Sequence, residues 1–444
     1  MDNMPVSTKS LKWFPGMRTF LCATLVLWTI VGVVAFVAGH IRHRPELFWF
    51  PLFSRTAVYN DFEIFRDQFR FFGTPKFWAP GPPAYAYPAA DSLVIKAFLS
   101  VPAHQLLFFR LFIVLAVVVG AIWSARALVR RGLRLSSSVL FVGVSVIASY
   151  PFMFLIERAN IEIVNWIFAS LAIAALWRER WKLAGLLLGI AISLKLFPVL
   201  LLGIFLARKK FLAILIAIAT AGIFDITALA ILGPTIKLAN QHLSATLQTF
   251  GKAYVFGYHY WEIPFDHSLL AVFKHLAQHT YTNDTARFAR FAHGYMVAAA
   301  LGGLLLYFAR IIRLPRVNQI VILLSLALLL PPISGDYTLI HLYAGWLVLA
   351  LFALEAEPGI IRSRVLPACF LLLAIIFCPE TWMFIGQAHI AGSFKALALS
   401  VLVLLLLVYR LEEKPKPTEK DVCNEYTDKQ AGSVRRAPLF RINS

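Results

Sequence analysis

The chain has 444 residues, 59% hydrophobic and only 15% charged, which excludes an ordinary soluble domain and fits a polytopic membrane protein. A net charge of +19 would suit nucleic acid, but Lys and Arg gather in short turns between apolar runs and in the C-terminal tail. That is a topology signal, so no nucleic acid is expected as a partner and membrane lipids are.

The first apolar run, Thr19–Ala38, follows Lys9, Lys12 and Arg18. It is too long for a signal-peptide core and predicts an uncleaved anchor with a cytoplasmic N-terminus. A first outer loop follows, about 40–105. Inside it, Phe62, Phe65, Phe69 and Phe72 recur at three- and four-residue spacing, one face of a helix. The stretch Val58–Phe72 reads as an interfacial amphipathic helix with its apolar side toward lipid. Asp61 stands at its start, where a carboxylate can take a proton from a hydroxyl; Asn60 or Asp61 could equally cap the helix. A Pro-rich turn, Ala79–Asp91, comes next.

Leu106–Leu128, Val139–Ile156 and Ile163–Trp177 read as three successive spans. Basic residues close the first and third, and Arg158 is the lone cation of the outer turn between the second and third. In Leu183–Ala207, Lys195 and Pro198 interrupt the middle and Arg208, Lys209 and Lys210 follow at once. A straight span would put that basic triplet on the outer face, against the positive-inside rule. Two half-helices, down and back, are predicted, with Pro198 breaking the helix and Lys195 carried to membrane depth.

Phe211–Leu232 then leads to a second outer loop, about 233–290, rich in His and aromatics. Tyr254, Phe256, Tyr258, Tyr260 and Trp261 read as an interfacial belt. Phe291–Ala309, Gln319–Pro331, Leu339–Leu354, Val365–Cys378 and Phe394–Tyr409 complete about ten spans plus one re-entrant pair. Residues 1–409 form the membrane domain; 410–444 are a basic, disordered cytoplasmic tail.

The residues quoted above resemble a known group in their order and placement: Asn60-Asp61-Phe62, Tyr87-Pro88, Asn160 and Asn165 at the head of a span, Ala184-Gly185 leading to Lys195 and Pro198, and His341 at an outer turn. The chain resembles the GT-C fold glycosyltransferases, and more narrowly glycosyltransferase family 87, which includes polyprenol-phosphate-mannose-dependent mannosyltransferases. Two departures are Tyr87-Pro88-Ala89, where the family often has a second Pro, and the turn Glu157-Arg158-Ala159-Asn160, where it often has a Gly-rich one. The resemblance implies an all-α GT-C-like bundle and a hexosyltransferase using a polyprenyl-phosphate sugar donor and a glycolipid or glycan acceptor on the outer face of the cytoplasmic membrane.

In that reading Asp61 is the base. Lys195, His341 and Arg158 are candidates for the donor phosphate; Asn60, Glu63, Tyr87, Asn160 and Asn165 line the substrate pocket. Each has a plainer role open to it. Lys195 could pair with Glu162 or Asp225, His341 with Asp336, and Arg158 with Glu157 or Glu162. Asp61 and Glu63 do not share a helix face, and His242, His259, His267, His275 and His279 lack tight ligand spacing, so neither a metal nor another cofactor is expected. The rival functions are a lipid-sugar transporter or flippase, which would need symmetric halves, and a lipid-linked oligosaccharide ligase or polymerase.

Overall fold

A computed structural model describes residues 13–41, 61–72, 74, 77, 87–101, 103–257, 266–276, 285–355, 364–379, 384–385, 388–389 and 391–411, almost all of them helical. Asn60, the residues of the Pro-rich turn before Tyr87, Tyr258, His259, Tyr260, Trp261, His279 and the tail beyond 411 lie outside the described residues.

The helices run α1 (Pro15–Ile41), α2 (Asp61–Phe69), α3 (Ala89–Leu99), α4 (Gln105–Arg130), α5 (Leu135–Ile147), α6 (Tyr150–Arg158), α7 (Glu162–Trp177) and α8 (Trp181–Leu194). After a 3-10 segment, Phe197–Leu201, come α9 (Leu202–Ala207), α10 (Phe211–Leu232), α11 (Ile236–Phe250), α12 (Leu269–Leu276), α13 (Thr285–Ala309) and α14 (Arg316–Leu329). A 3-10 turn, Asp336–His341, then leads to α15 (Leu342–Glu355), α16 (Val365–Phe377) and α17 (Ala391–Val408).

Among the described residues, five helices are long and apolar enough to cross a membrane, and six if the bent pair α5–α6 counts as one span. The expectation of about ten spans also counted runs that fold as helices of 10–17 residues, shorter than the roughly 20 needed to cross alone. The long helices α4 and α10 leave large apolar side chains outward, Leu111, Leu115, Val119, Leu215 and Ile223 among them. A face of that size would be untenable in water and suits lipid. One candidate span differs: Asp336–Glu355 is 89% buried, against 17–22% for the other four. The bundle therefore encloses the turn Asp336–His341 and the helix that follows it.

The run expected as one span, Val139–Ile156, is instead two helices, α5 and α6, bent by 50°. Ser149 explains the bend: its hydroxyl accepts from the Phe152 N–H at 3.3 Å and restarts the helix, with Pro151 in the first turn, where its missing N–H costs nothing.

Phe62, Phe65 and Phe69 are helical as expected, but their side of α2 does not face lipid. Phe62, Phe65 and Phe69 are buried against protein. Phe62 stacks on Phe109 at 5.1 Å and Phe65 meets Tyr87 edge-on at 5.1 Å. Aromatic pairs of this kind fix orientation as well as area, so α2 is held against α4 and the start of α3. A stripe facing lipid and one facing a neighbouring helix look the same in one dimension.

The doubling-back after α8 follows from its packing on α10. A Cβ added at Gly185 would meet the Ala213 carbonyl, and one at Gly189 the Ala217 carbonyl. Positions four apart on α8 thus face positions four apart on α10 in the same order, so the two helices run parallel. The chain between them must reverse. It does so after Lys195, whose backbone is extended, and Phe205 of α9 returns to within 6.2 Å of the Trp181 ring. Lys210 closes the pair over that ring at 5.4 Å.

Small residues permit this contact, and it sets the height of Lys195. Gly185→Ala is expected to lower stability by about 1–3 kcal/mol, the usual cost of overpacking. Thermal unfolding in detergent checks this; an unchanged transition would show that α8 is free to slide.

In the second long loop, Tyr254 meets Phe250 in a tilted pair at 4.6 Å and Phe256 stacks on His293 at 4.0 Å, so these two rings pack against protein.

Candidate active site

Four element ends converge: the start of α2, the α6–α7 turn, the end of α8 and the 3-10 turn before α15. Asp61, in the first turn of α2, is 8% exposed. Its carboxylate accepts from Arg158 Nη2 at 2.7 Å and Nε at 3.3 Å. Asn160 Nδ2 donates to it at 2.6 Å. The carboxylate is thus engaged by side chains from another helix rather than spent on capping its own. A carboxylate has about four lone-pair sites. Three are taken by described residues.

The α6–α7 turn is built to present these groups. Ala159 ends α6 in the left-handed region at φ 47°, a conformation costing a β-carbon-bearing residue roughly 1–2 kcal/mol. Asn160 follows, fully buried. Its Oδ1 accepts from the Glu162 N–H at 2.9 Å, an Asx turn that opens α7, while its Nδ2 is left for Asp61. The same Nδ2 lies 3.4 Å from the Tyr87 hydroxyl. Burial pushes the Tyr87 phenol well above its ordinary range, so it remains a neutral hydroxyl.

Glu162 is the second node. It has no exposed surface, and an isolated charge there would be very costly. It accepts from Asn165 Nδ2 at 3.0 Å, meets His341 Nε2 at 2.8 Å and pairs with Lys195 Nζ at 2.6 Å. The Lys195 ammonium also faces the rings of Tyr87 at 4.7 Å and Tyr337 at 5.2 Å. Phe197, just past the reversal, sets its ring edge-on to His341 at 4.8 Å. Tyr87 touches Asn160 on one side and Lys195 on the other. It therefore joins the Asp61 group and the Glu162 group into one site.

The predicted residues divide as follows. Asp61, Arg158, Tyr87, Asn160, Asn165, Lys195 and His341 come together. Glu63 is half-buried and, among the described residues, makes no hydrogen bond or ion pair with the group. Asn60 lies outside the described residues. Several pairings are corrected. Arg158 pairs with Asp61 rather than with Glu157 or Glu162. Of the two acids weighed for Lys195, Glu162 holds it, while Asp225 lies 3.4 Å from the Ala90 N–H at the start of α3, where an anion suits the helix dipole. His341 pairs with Glu162, not Asp336.

Asp336 belongs to a second buried group. Lys395 Nζ on α17 meets its Oδ2 at 3.0 Å, and His267 Nδ1 lies 3.4 Å from its Oδ1. His267 Nε2 is 2.9 Å from the Ser334 hydroxyl. Asp266 Oδ1 accepts from the Ser268 and Ser334 N–H groups, each at 2.9 Å. These bonds stitch loop residues 266–268 and α17 to the 3-10 turn that carries Tyr337 and His341. The sequence reading gave no role to Lys395 or Tyr337; a lysine inside the apolar run Phe394–Tyr409 was the available signal for the first.

A many-helix membrane protein that gathers a buried carboxylate with a half-buried guanidinium and ammonium around two phenols has the makings of a membrane enzyme. Residues 85–334 match the model of glycosyltransferase family 87. The chain belongs to that family, and it is a membrane glycosyltransferase. The matched segment contains Tyr87, Arg158, Asn160, Glu162, Asn165 and Lys195; Asp61 and His341 lie outside it. No curated protein matches the chain.

Proposed function

We propose that the chain transfers a hexose, mannose first among them, from a polyprenyl-phosphate donor to a glycolipid or glycan acceptor, with inversion, at the outer face of the cytoplasmic membrane. The observation that carries this is the joining of Asp61 to a set of cations through Tyr87 and Asn160. A phosphate leaving group needs charge stabilisation more than protonation, so one base suffices, unlike the carboxylate pair of glycoside hydrolases.

In this mechanism Asp61 accepts the proton of the acceptor hydroxyl. The acceptor oxygen forms its bond to the anomeric carbon as the bond from that carbon to the phosphate oxygen breaks. The electron pair departs with polyprenyl phosphate, and the anomeric configuration inverts. Arg158 and Lys195 supply positive charge and His341 a ring nitrogen to the departing phosphate, the kind of preorganised stabilisation that contributes most to such reactions. Glu162 takes one of the three ammonium donors of Lys195 and holds it in place.

Two features support the outer face. The basic turn residues Arg180, Lys182 and Lys210 cluster around Trp181, at the start of α8. Lys195 lies at the other end of that helix, about 20 Å away at 1.5 Å per residue. The positive-inside rule puts the Trp181 end in the cytoplasm and the site opposite. Nucleotide sugars are not supplied on that side, so the donor must be lipid-borne.

The test is incubation of purified protein with labelled polyprenyl-phosphate mannose, glucose or arabinose, and separately with nucleotide sugars, in the presence of membrane glycolipids. Release of free polyprenyl phosphate from a hexose donor is expected. Turnover of nucleotide sugars alone would overturn the donor class.

A further inference from the structure

Asp91 is not used by the mechanism above. It lies four residues past Tyr87, in the first turn of α3, and α3 packs on α8 and α10. Its side chain is almost wholly enclosed, at 1% exposure, and its Oδ2 has no hydrogen-bond partner among the described residues. The charges it feels most are Lys195 and then Glu162, and its own charge is felt by Tyr87. With α3 packed on α8, which ends at Lys195, and with Tyr87 just before α3 and beneath the Lys195 ammonium, Asp91 lies on the Lys195–Tyr87 side of the site.

An acid at the third position of a helix ordinarily has a structural use: it bonds back to the N–H of the capping residue. Here the capping residue is Pro88, which has no N–H. The Ala90 N–H is met from another helix by Asp225, and the Asp91 N–H goes to the Pro88 carbonyl. The first turn of α3 therefore gives the Asp91 carboxyl no partner, although an enclosed polar atom without one is costly. Burial accordingly pushes its pKa well above the usual carboxylate range. A sugar ring offers the missing chemistry, several hydroxyl donors on a compact apolar frame.

We propose that Asp91 is a specificity-determining residue whose side chain accepts a hydrogen bond from one hydroxyl of the donor hexose. This rests on the polyprenyl-phosphate reading above. With the phosphate at Lys195 and the anomeric carbon facing Asp61, the hexose lies beside Tyr87, four residues before Asp91. A site that bonds a substrate hydroxyl rejects the analogue lacking it, because its own polar group is then left unmatched.

The experiment compares wild type, Asp91→Leu and Asp91→Asn with the intact donor and with its single-deoxy analogues. For the intact donor, Asp91→Leu is expected to lower kcat/KM about 10- to 100-fold, the range for leaving one enclosed hydroxyl of the substrate without its hydrogen-bond partner. One deoxy analogue is expected to be turned over equally by wild type and Asp91→Leu; the others should lose as much as the intact donor. Asp91→Asn, which keeps the volume and one acceptor oxygen, should fall between and guards against a folding defect. A uniform loss across every analogue, or no loss, would overturn the assignment. Wild-type protein that turns over no polyprenyl-phosphate sugar would overturn the donor class itself and the assignment with it.

Discussion

Asp61→Asn is expected to lower turnover by about 10²- to 10⁴-fold, the usual contribution of a positioned general base. The amide keeps the volume of the carboxylate and one acceptor oxygen for Arg158, but it cannot take the acceptor proton. The Arg158–Asp61 pair is not sealed, with side-chain exposures of 24% and 11%, so the structural penalty of the change is modest. Steady-state kinetics paired with thermal unfolding separate the two effects. A variant that unfolds near the wild-type temperature and has lost turnover is the expected result. Full turnover in that variant would remove Asp61 from the chemistry.

The second large effect concerns stability. Lys395 and Asp336 are both fully buried. Lys395→Met strips the Asp336 carboxylate of its ammonium partner and leaves the charge enclosed beside His267. Breaking a buried pair from one side typically costs about 3–5 kcal/mol, whereas replacing both partners by apolar groups is close to neutral. Thermal unfolding should therefore show a large loss for Lys395→Met and substantial recovery for Lys395→Met with Asp336→Leu. Because the Asp336–His341 turn carries both Tyr337 and His341, the double variant should regain stability more fully than activity. Equal stability of the single variant and wild type would mean that the pair does not hold the turn.

The sequence revealed the features that depend on local chemistry and missed those that depend on which helices meet. Hydropathy and the basic turns made the membrane class plain. Lys195 and Pro198 marked the reversal after α8, since a charge and a helix breaker inside an apolar run have few other uses. Asp61, Tyr87, Asn160 and Lys195 were recognisable through short motifs in a fixed order. The partners were not. Arg158 could have met any of three acids, and only the meeting of the α6 end with the start of α2 brings it to Asp61. Glu162 read as one acid in a polar turn, yet it holds both Lys195 and His341 from helices far apart in the chain. The Phe62–Phe65–Phe69 face was legible as a stripe, but its destination, protein rather than lipid, is a tertiary fact. The 50° bend at Ser149 was hidden because one cap and one proline inside an apolar run do not alter its mean hydropathy.

A structure of the protein bound to a polyprenyl-phosphate hexose tests the central claim most directly. The account predicts the donor phosphate within hydrogen-bonding reach of Lys195, His341 or Arg158. It predicts the anomeric carbon on the side facing Asp61, with room for an acceptor hydroxyl between them. A phosphate seated in a separate cavity, with Asp61 unable to approach the sugar, would contradict it.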